Sequence, residues 1–426
     1  MKAAVIGLGV EGKKAVSSLL KHGWEVYATD LNVDVDLSEL DLPQLSLDMI
    51  DEKQTVSIVG DNITVDLGFT NSFAIEQCDA IAMSPSMFGG SFADRLLDDG
   101  ELLSDVVTKH KDIFTIGITG TNGKTTTVHM LKNILENAGY NVLVGGNGGG
   151  GFSGYYDLIL EANDGDFDIL LVEVCDMTLD FADYCFDFDM VGLTNIGNDH
   201  MDFHKTIANY KNSLVRFFKD KTIFTAFNQD FNSDFKDSAS KTIPFFEYHD
   251  KLQVFGKFNL LNAGLSTAIA TELRIPKDVI KSTLEEFKAV EGRLDVYKIN
   301  DAEVYVGKTD NSDALASILS EKDFYALFIG TPRHNENHRL EILDVAAKYN
   351  PEVIVLFPGL EDTLDMAIYR LNSLNYMGNI ITVNSLDEII ELVAEYSHED
   401  AILIGGNGQE SIIEIQERIK LISKKL

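Results

Sequence analysis

One stretch constrains this chain more than any other. The β-rich run Ile113-Phe-Thr-Ile-Gly-Ile-Thr119 feeds Gly120-Thr121-Asn122-Gly123-Lys124-Thr125-Thr126, and an amphipathic pattern follows over Val128–Ala138. Strand, glycine turn and helix in that order make a βα unit, which calls for a parallel sheet covered by helices. The turn lets backbone N–H groups converge on an anion, and the helix behind it adds the positive end of its dipole. Lys124 supplies a neutralising ammonium, and Thr125 a hydroxyl of the kind that ligates Mg²⁺ beside nucleotide phosphates. The fit is to G-x-x-G-K-T, because Ile118 stands where the longer phosphate-loop pattern has a glycine.

Two further βα starts flank this one. Ala3–Ile6 reads as a short buried strand, followed by Gly7-Leu-Gly9-Val-Glu-Gly12, a helix to about Leu20 and a second strand ending at Asp30. Such a G-x-G-x-x-G turn permits close approach of an anion to a helix N-terminus. A later strand is expected at Asp79–Met83, broken at Ser84-Pro85, and then a helix over Leu96–Leu103. From Glu303 onward, strand-like YALFIG, VIVLF, NIITV and AILIGG alternate with helical stretches. The predicted fold class is α/β in three domains. A Rossmann-like N-terminal domain spans 1–109, a central P-loop ATPase domain with a mostly parallel sheet 110–298, and a Rossmann-like C-terminal domain 299–426.

The formal net charge of −33 excludes a nucleic-acid partner, since phosphate backbones need a basic surface. Any anionic substrate must therefore be met by local basic groups, helix N-termini or metal ions. No apolar run approaches the ~20 residues of a membrane span. The N-terminus enters a strand directly instead of reading as a signal peptide. Cys78, Cys175 and Cys185 lack the spacing of a metal or disulfide framework, which points to a reducing cytoplasm. A monomer acting on small molecules is expected.

In the form Thr119-Gly-Thr-Asn-Gly-Lys-Thr-Thr126, the loop resembles the ATP loop of Mur ligases and folylpolyglutamate synthetases, and further motifs follow in that family's order. Val144-Gly-Gly-Asn147 resembles its substrate-side glycine loop, and Leu171-Val-Glu173 the strand end whose glutamate binds magnesium. Asn195-Ile-Gly-Asn-Asp199-His200-Met-Asp202 resembles N-x-x-x-D-H-x-D, whose histidine is a second metal ligand. Gly256-Lys-Phe-Asn259-Leu-Leu-Asn262 resembles the adenine-side motif, and Gly292-Arg293-Leu-Asp the linker whose arginine meets the nucleotide.

The resemblance implies ATP and Mg²⁺ as cofactors, with Lys124, Glu173 and His200 catalytic and Thr125, Glu173 and His200 on metal. It puts Gly120–Thr126, Asn259, Asn262, Arg293 and Asp310 on ATP, and Gly7, Gly9, Gly12 and Asn147 on substrate. Chemically, phosphorylating a carboxylate with ATP brings two anions together, so metal ions and N–H donors at the transferring group are what the reaction needs.

The departures are equally specific. Leu214, in Tyr210-Lys211-Asn-Ser-Leu214-Val-Arg216, stands where the family has a carbamylated, metal-holding lysine, and Lys211 is the nearest amine. Phe258 replaces the adenine-side histidine, and the third-domain motif becomes Gly307-Lys-Thr-Asp310-Asn311. Asp30-Leu31-Asn32 offers none of the basic residues that hold a UDP-sugar in the family's N-terminal domain. These losses suggest a divergent, archaeal branch: either a ligase adding an amino acid to a (pseudo)murein peptide precursor, or the Mur-like synthetase that closes the last ring of the methanogens' nickel-tetrapyrrole coenzyme.

Two alternatives stand beside it. A nicotinamide-dependent dehydrogenase would use Gly7–Gly12 and Asp30, and a partner subunit with lost activity would account for Leu214 and Phe258. Arg333-His334-Asn-Glu-Asn-His338-Arg339 reads as a solvated basic loop able to close on phosphates through Arg333 or Arg339, and Gly145–Gly151 as a mobile loop over the active site.

Overall fold

In the computed structural model the described residues are 1–426 apart from 41–45, 51–54, 228–233, 236 and 425–426, with the backbone alone at 46–50, 99 and 337. Three sheets follow one another along the chain. The first holds β1 (Lys2–Ile6), β2 (Glu25–Asp30), β3 (Ser46–Ile50), β4 (Val56–Val59), β5 (Ile63–Leu67) and β6 (Ala80–Met83) in the order β3-β4-β5-β2-β1-β6. Its β5-β2-β1-β6 half is parallel, while β3 and β4 pair antiparallel at the edge.

The central sheet is wholly parallel, in the order β12-β11-β10-β7-β9-β8. Its strands are β7 (Phe114–Thr119), β8 (Val142–Gly146), β9 (Ile169–Glu173), β10 (Phe188–Leu193), β11 (Thr222–Ala226) and β12 (Lys241–Phe245). A parallel strand covered on both faces must be apolar throughout, and Ile169-Leu-Leu-Val-Glu173 is buried at every position. The third sheet contains β13 (Asp295–Ile299), β14 (Ala302–Val306), β15 (Ala326–Gly330), β16 (Val353–Phe357), β17 (Asn379–Thr382) and β18 (Ala401–Gly406). Its order is β13-β14-β18-β15-β16-β17, parallel except for the β13–β14 hairpin.

Two expectations need correction. The 298/299 boundary falls inside β13, so the third sheet starts at Asp295. The single helix over Leu96–Leu103 is broken: one helix ends at Asp99 and a short one begins at Leu103. Between them Gly100 is extended, and a Cβ there would lie 2.7 Å from the Ile81 side chain. The chain is extended here and runs close against β6, where a side chain would press on the Ile81 methyl.

Because the central strands are parallel, the loops after β7, β8, β9 and β10 all emerge at one edge, the usual crevice for ligands in such sheets. With β7 lying between β9 and β10, the glycine turn is flanked by Glu173 on one side and Thr194 on the other.

Candidate active site

The turn after β7 is shaped by two glycines in left-handed conformations, Gly120 (φ 124°) and Gly123 (φ 87°). A Cβ at Gly120 would meet Thr194 Oγ1 at 2.2 Å, and one at Gly123 would meet Asn262 Oδ1 at 2.3 Å, so both positions exclude other residues twice over. The helix Lys124–Asn137 starts directly behind. Asn195 locks the turn from the β10 side: its Oδ1 accepts from Asn122 N at 3.0 Å and its Nδ2 donates to Asn122 O at 2.9 Å. Thr121 Oγ1 accepts from Gly197 N at 2.9 Å.

The Lys124 ammonium donates to the carbonyls of Gly120 and Thr121 at 2.7 and 2.8 Å. Burial alone would lower its pKa, but the nearby Asp176, Glu173 and Asp199 carboxylates outweigh that and raise it, so the ammonium stays charged. Thr126 lies in the first helical turn. Asn259 and Asn262, expected beside adenine, are buried and bonded to each other (3.0 Å), and Asn262 braces the turn at Gly123 from behind.

Glu173 closes β9 at 1% exposure. Its Oε1 accepts from Asn147 Nδ2 at 2.9 Å, while Oε2 is buried without a hydrogen-bond partner. A buried, unsatisfied carboxylate oxygen is costly unless a cation meets it, so this residue fits a magnesium ion. Thr125 Oγ1 accepts from Arg293 at 2.7 Å and keeps a second lone pair for a metal. Magnesium held by Glu173 and Thr125 would supply charge neutralisation at transferring phosphate oxygens. His200, in the left-handed region at φ 50°, begins a short helix, Met201–His204. Its Nε2 lies 3.8 Å from Asp176 Oδ1 and 3.7 Å from Asp199 Oδ2.

Sequence reasoning missed Asp176 and His204, which bond to each other at 2.8 Å, and the Tyr210 ring stacked on His204 at 4.4 Å. An aspartate three residues past Glu173 was the available signal. Leu214 is fully buried in hydrocarbon surroundings one turn beyond Tyr210, and Lys211 pairs with Asp234 at 3.3 Å.

The third domain reaches the turn directly. Asn122 and Asn311 exchange amide hydrogen bonds of 3.1 and 2.9 Å, and Asn311 also caps the helix Ser312–Leu319. Asp313 Oδ2 accepts from Asn198 N at 2.8 Å. Asp310, expected on ATP, is buried between Arg339 at 2.7 Å and Lys308 at 3.1 Å. Those cations, opposing the effect of burial, hold its carboxyl well below the usual range. Arg339 is thus the member of the basic loop that faces the site, whereas Arg333 pairs with Glu336 and His334 with Glu361 at the surface. Phe258 packs against the third domain's core.

The first domain enters through its glycine turn. Gly7 needs its positive φ of 85°, and a Cβ on Gly12 would overlap Gly7 O at 1.8 Å, so both are required by the turn itself; Gly9 is open on all sides. Asp30, which a dehydrogenase would place on ribose, accepts from Leu8 N at 2.6 Å and from Asn32 N at 2.8 Å, capping the turn with negative charge. Glu11 Oε1 accepts from Gly148 N, and Lys14 donates to the carbonyls of Gly148 and Phe152. On the other side, Arg293 donates to Gly150 O at 3.1 Å. The glycine run expected to be mobile is therefore braced: Glu11 and Lys14 hold it from the first domain, and Arg293 and Glu173 from its other sides.

Comparison with known proteins agrees with this arrangement. Residues 118–241 match the Mur ligase middle domain. The UDP-N-acetylmuramoyl-L-alanyl-D-glutamate–2,6-diaminopimelate ligase of Clostridium botulinum is 30% identical over 361 residues, covering 70% of this chain and 74% of the relative. Among solved structures, the UDP-N-acetylmuramate-alanine ligase MurC of Thermotoga maritima superposes with a TM-score of 0.61 at 18% identity, covering 99% of each chain. A pseudomurein peptide ligase type C from Methanothermus fervidus gives 0.54 at 19% identity, also over 99% of each chain. The chain belongs to the Mur ligase family and is an ATP-dependent, ADP-forming ligase. No helix among the described residues is long and apolar enough to cross a membrane.

Proposed function

We propose that the enzyme phosphorylates a carboxylate of a nickel-tetrapyrrole precursor with ATP·Mg²⁺ and closes the last ring of that coenzyme. The γ-phosphate passes to the carboxylate and ADP leaves; a nucleophile of the same macrocycle then attacks the acyl carbon, and phosphate departs from the tetrahedral intermediate. Gly120–Thr126 and Lys124 bind the phosphates, Glu173 and Thr125 hold magnesium, and Arg293 with the Asn122–Asn311 contact keeps the domains closed so that water does not hydrolyse the acyl phosphate.

The observation that carries the substrate class is the lining of the first domain's crevice. Its four parallel strands release segments 7–12, 30–40, 68–73 and 84–92, which contain no Lys, Arg or His, and the adjacent Lys13 is taken up by Glu39 at 2.5 Å. They expose Val10 (50%), Leu31 (73%) and Phe73 (70%) instead. An apolar, acid-capped edge suits the flat face of a macrocycle better than a uridine diphosphate, which needs cations or free N–H groups.

Amino-acid addition to a (pseudo)murein peptide precursor is the second reading, favoured by the names of the relatives above. ADP release measured with a seco-ring tetrapyrrole and with a UDP-linked peptide separates the two. Turnover with the tetrapyrrole alone supports the first reading, and turnover with the peptide alone overturns it.

A further inference from the structure

The turn after β9 carries more metal-binding chemistry than Glu173. Asp176 lies in the 3-10 turn Asp176–Thr178 at 2% exposure. Its Oδ2 is fixed by His204 at 2.8 Å, and His204 is itself fixed by stacking on Tyr210. Its Oδ1 meets a weak thiol donor, Cys175 Sγ, at 3.6 Å and faces His200 Nε2 at 3.8 Å without a hydrogen bond. Cys175, Asp176 and His200 place one ligand atom each within 4.8 Å of one another. A hard divalent cation favours a carboxylate oxygen over the neighbouring thiol, which leaves Cys175 outside the set.

We propose that Asp176 Oδ1 takes the place left by Leu214 as a ligand of the second divalent cation, the one the resemblance puts on His200, next to the position at Glu173. The 3.8 Å between them is wider than the ~3.0 Å spanned by neighbouring ligands of an octahedral ion at ~2.1 Å, so the partly exposed His200 ring would close on the ion by a small shift. The His204–Asp176 pair is the kind of outer contact that orients a ligating carboxylate and keeps one oxygen free. The second oxygen-ligated position thus comes from the β9 turn, three residues after Glu173, and the helix Ile207–Phe217 offers only hydrocarbon at Leu214. Glu173 ends β9 and Asp176 lies in the turn after it, so both carboxylates belong to the loop next to the phosphate loop after β7. Asp199, 3.7 Å from His200 Nε2, adds negative charge there, and Arg339, 3.9 Å from Asp199, offsets it from the third domain. Two cations there would supply the charge neutralisation that phosphorylating a carboxylate requires.

The role given to this cation rests on the ligase reading above, but its binding does not, and the test separates them. Mn²⁺ is titrated into the full chain with a non-hydrolysable ATP analogue, and free Mn²⁺ is read by electron paramagnetic resonance. The parent should bind two ions, as two-metal phosphoryl-transfer sites do. Asp176→Asn and His200→Ala should each bind one, while Lys211→Ala should keep both, with or without added bicarbonate. Thermal melting without metal checks that Asp176→Asn folds, and His200→Ala, on a half-buried loop position, gives the answer independently if it does not. Two ions in either site variant, one in the parent, or one in Lys211→Ala overturns the proposal. Absence of carboxylate-dependent ADP release alongside the expected ion counts would sink the ligase reading and leave the metal site standing.

Discussion

Lys124 is a fixed cation beside the glycine turn, and Glu173 is the residue proposed to hold a cation there. Lys124 bonds to loop carbonyls and offsets the buried Asp176, Glu173 and Asp199 carboxylates, so Lys124→Ala should stay folded with a lowered melting temperature while carboxylate-dependent ADP formation falls on the order of 10²–10³-fold. Activity within a few-fold of the parent would remove the glycine turn from the mechanism. Glu173→Gln keeps shape and the Asn147 contact but withdraws the charge at the unpartnered Oε2. The magnesium concentration for half-maximal rate should then rise about tenfold or more. An unchanged requirement would make Glu173 a polar strand end and no more.

Among the elements, the first glycine turn separates residues required by shape from those free to serve a ligand. Gly12→Ala should destabilise the first domain by roughly 1–3 kcal/mol, because its Cβ has no room against Gly7 O. Gly9→Ser should be neutral or slightly stabilising, since Gly9 is an open N-cap at φ −68°. Denaturant midpoints of the two variants check both. This contrast could not be read from G-x-G-x-x-G, which gives the three glycines equal standing. The β7 turn was legible because strand, turn and helix are contiguous. Glu173 and His200 were legible because their motifs are local as well. Asp176, His204 and Tyr210 were not, because they meet only once the chain after β9 and the chain after β10 emerge at the same edge of the sheet. The Asn122–Asn311 contact joins residues 189 apart and has no local signature at all. The antiparallel strands β3, β4 and β13 also escaped, since short edge strands carry a weak pattern.

Across the whole molecule, the glycine loop 147–151 is where the first domain, Glu173 and the Arg293 linker meet. In the seam with the first domain, burial pushes the Glu11 carboxyl up to about 7, against the opposing pull of Gly148 N–H and Lys14. A carboxyl with a raised folded pKa favours the folded state when protonated, so this contribution is full below about 4.5 and is lost as pH rises toward 7. The melting temperature of Glu11→Gln should therefore fall less than the parent's between pH 5 and pH 8. Parallel curves would place the carboxyl in solvent. The central claim, that the domains close on a carboxylate being phosphorylated, is tested most directly by isotope transfer. The seco-ring tetrapyrrole, with ¹⁸O in its carboxylates, is turned over with unlabelled ATP, and the released phosphate is analysed by mass. An acyl phosphate intermediate requires one ¹⁸O in each phosphate released. ADP formation with unlabelled phosphate, or with none of the substrate consumed, would contradict it.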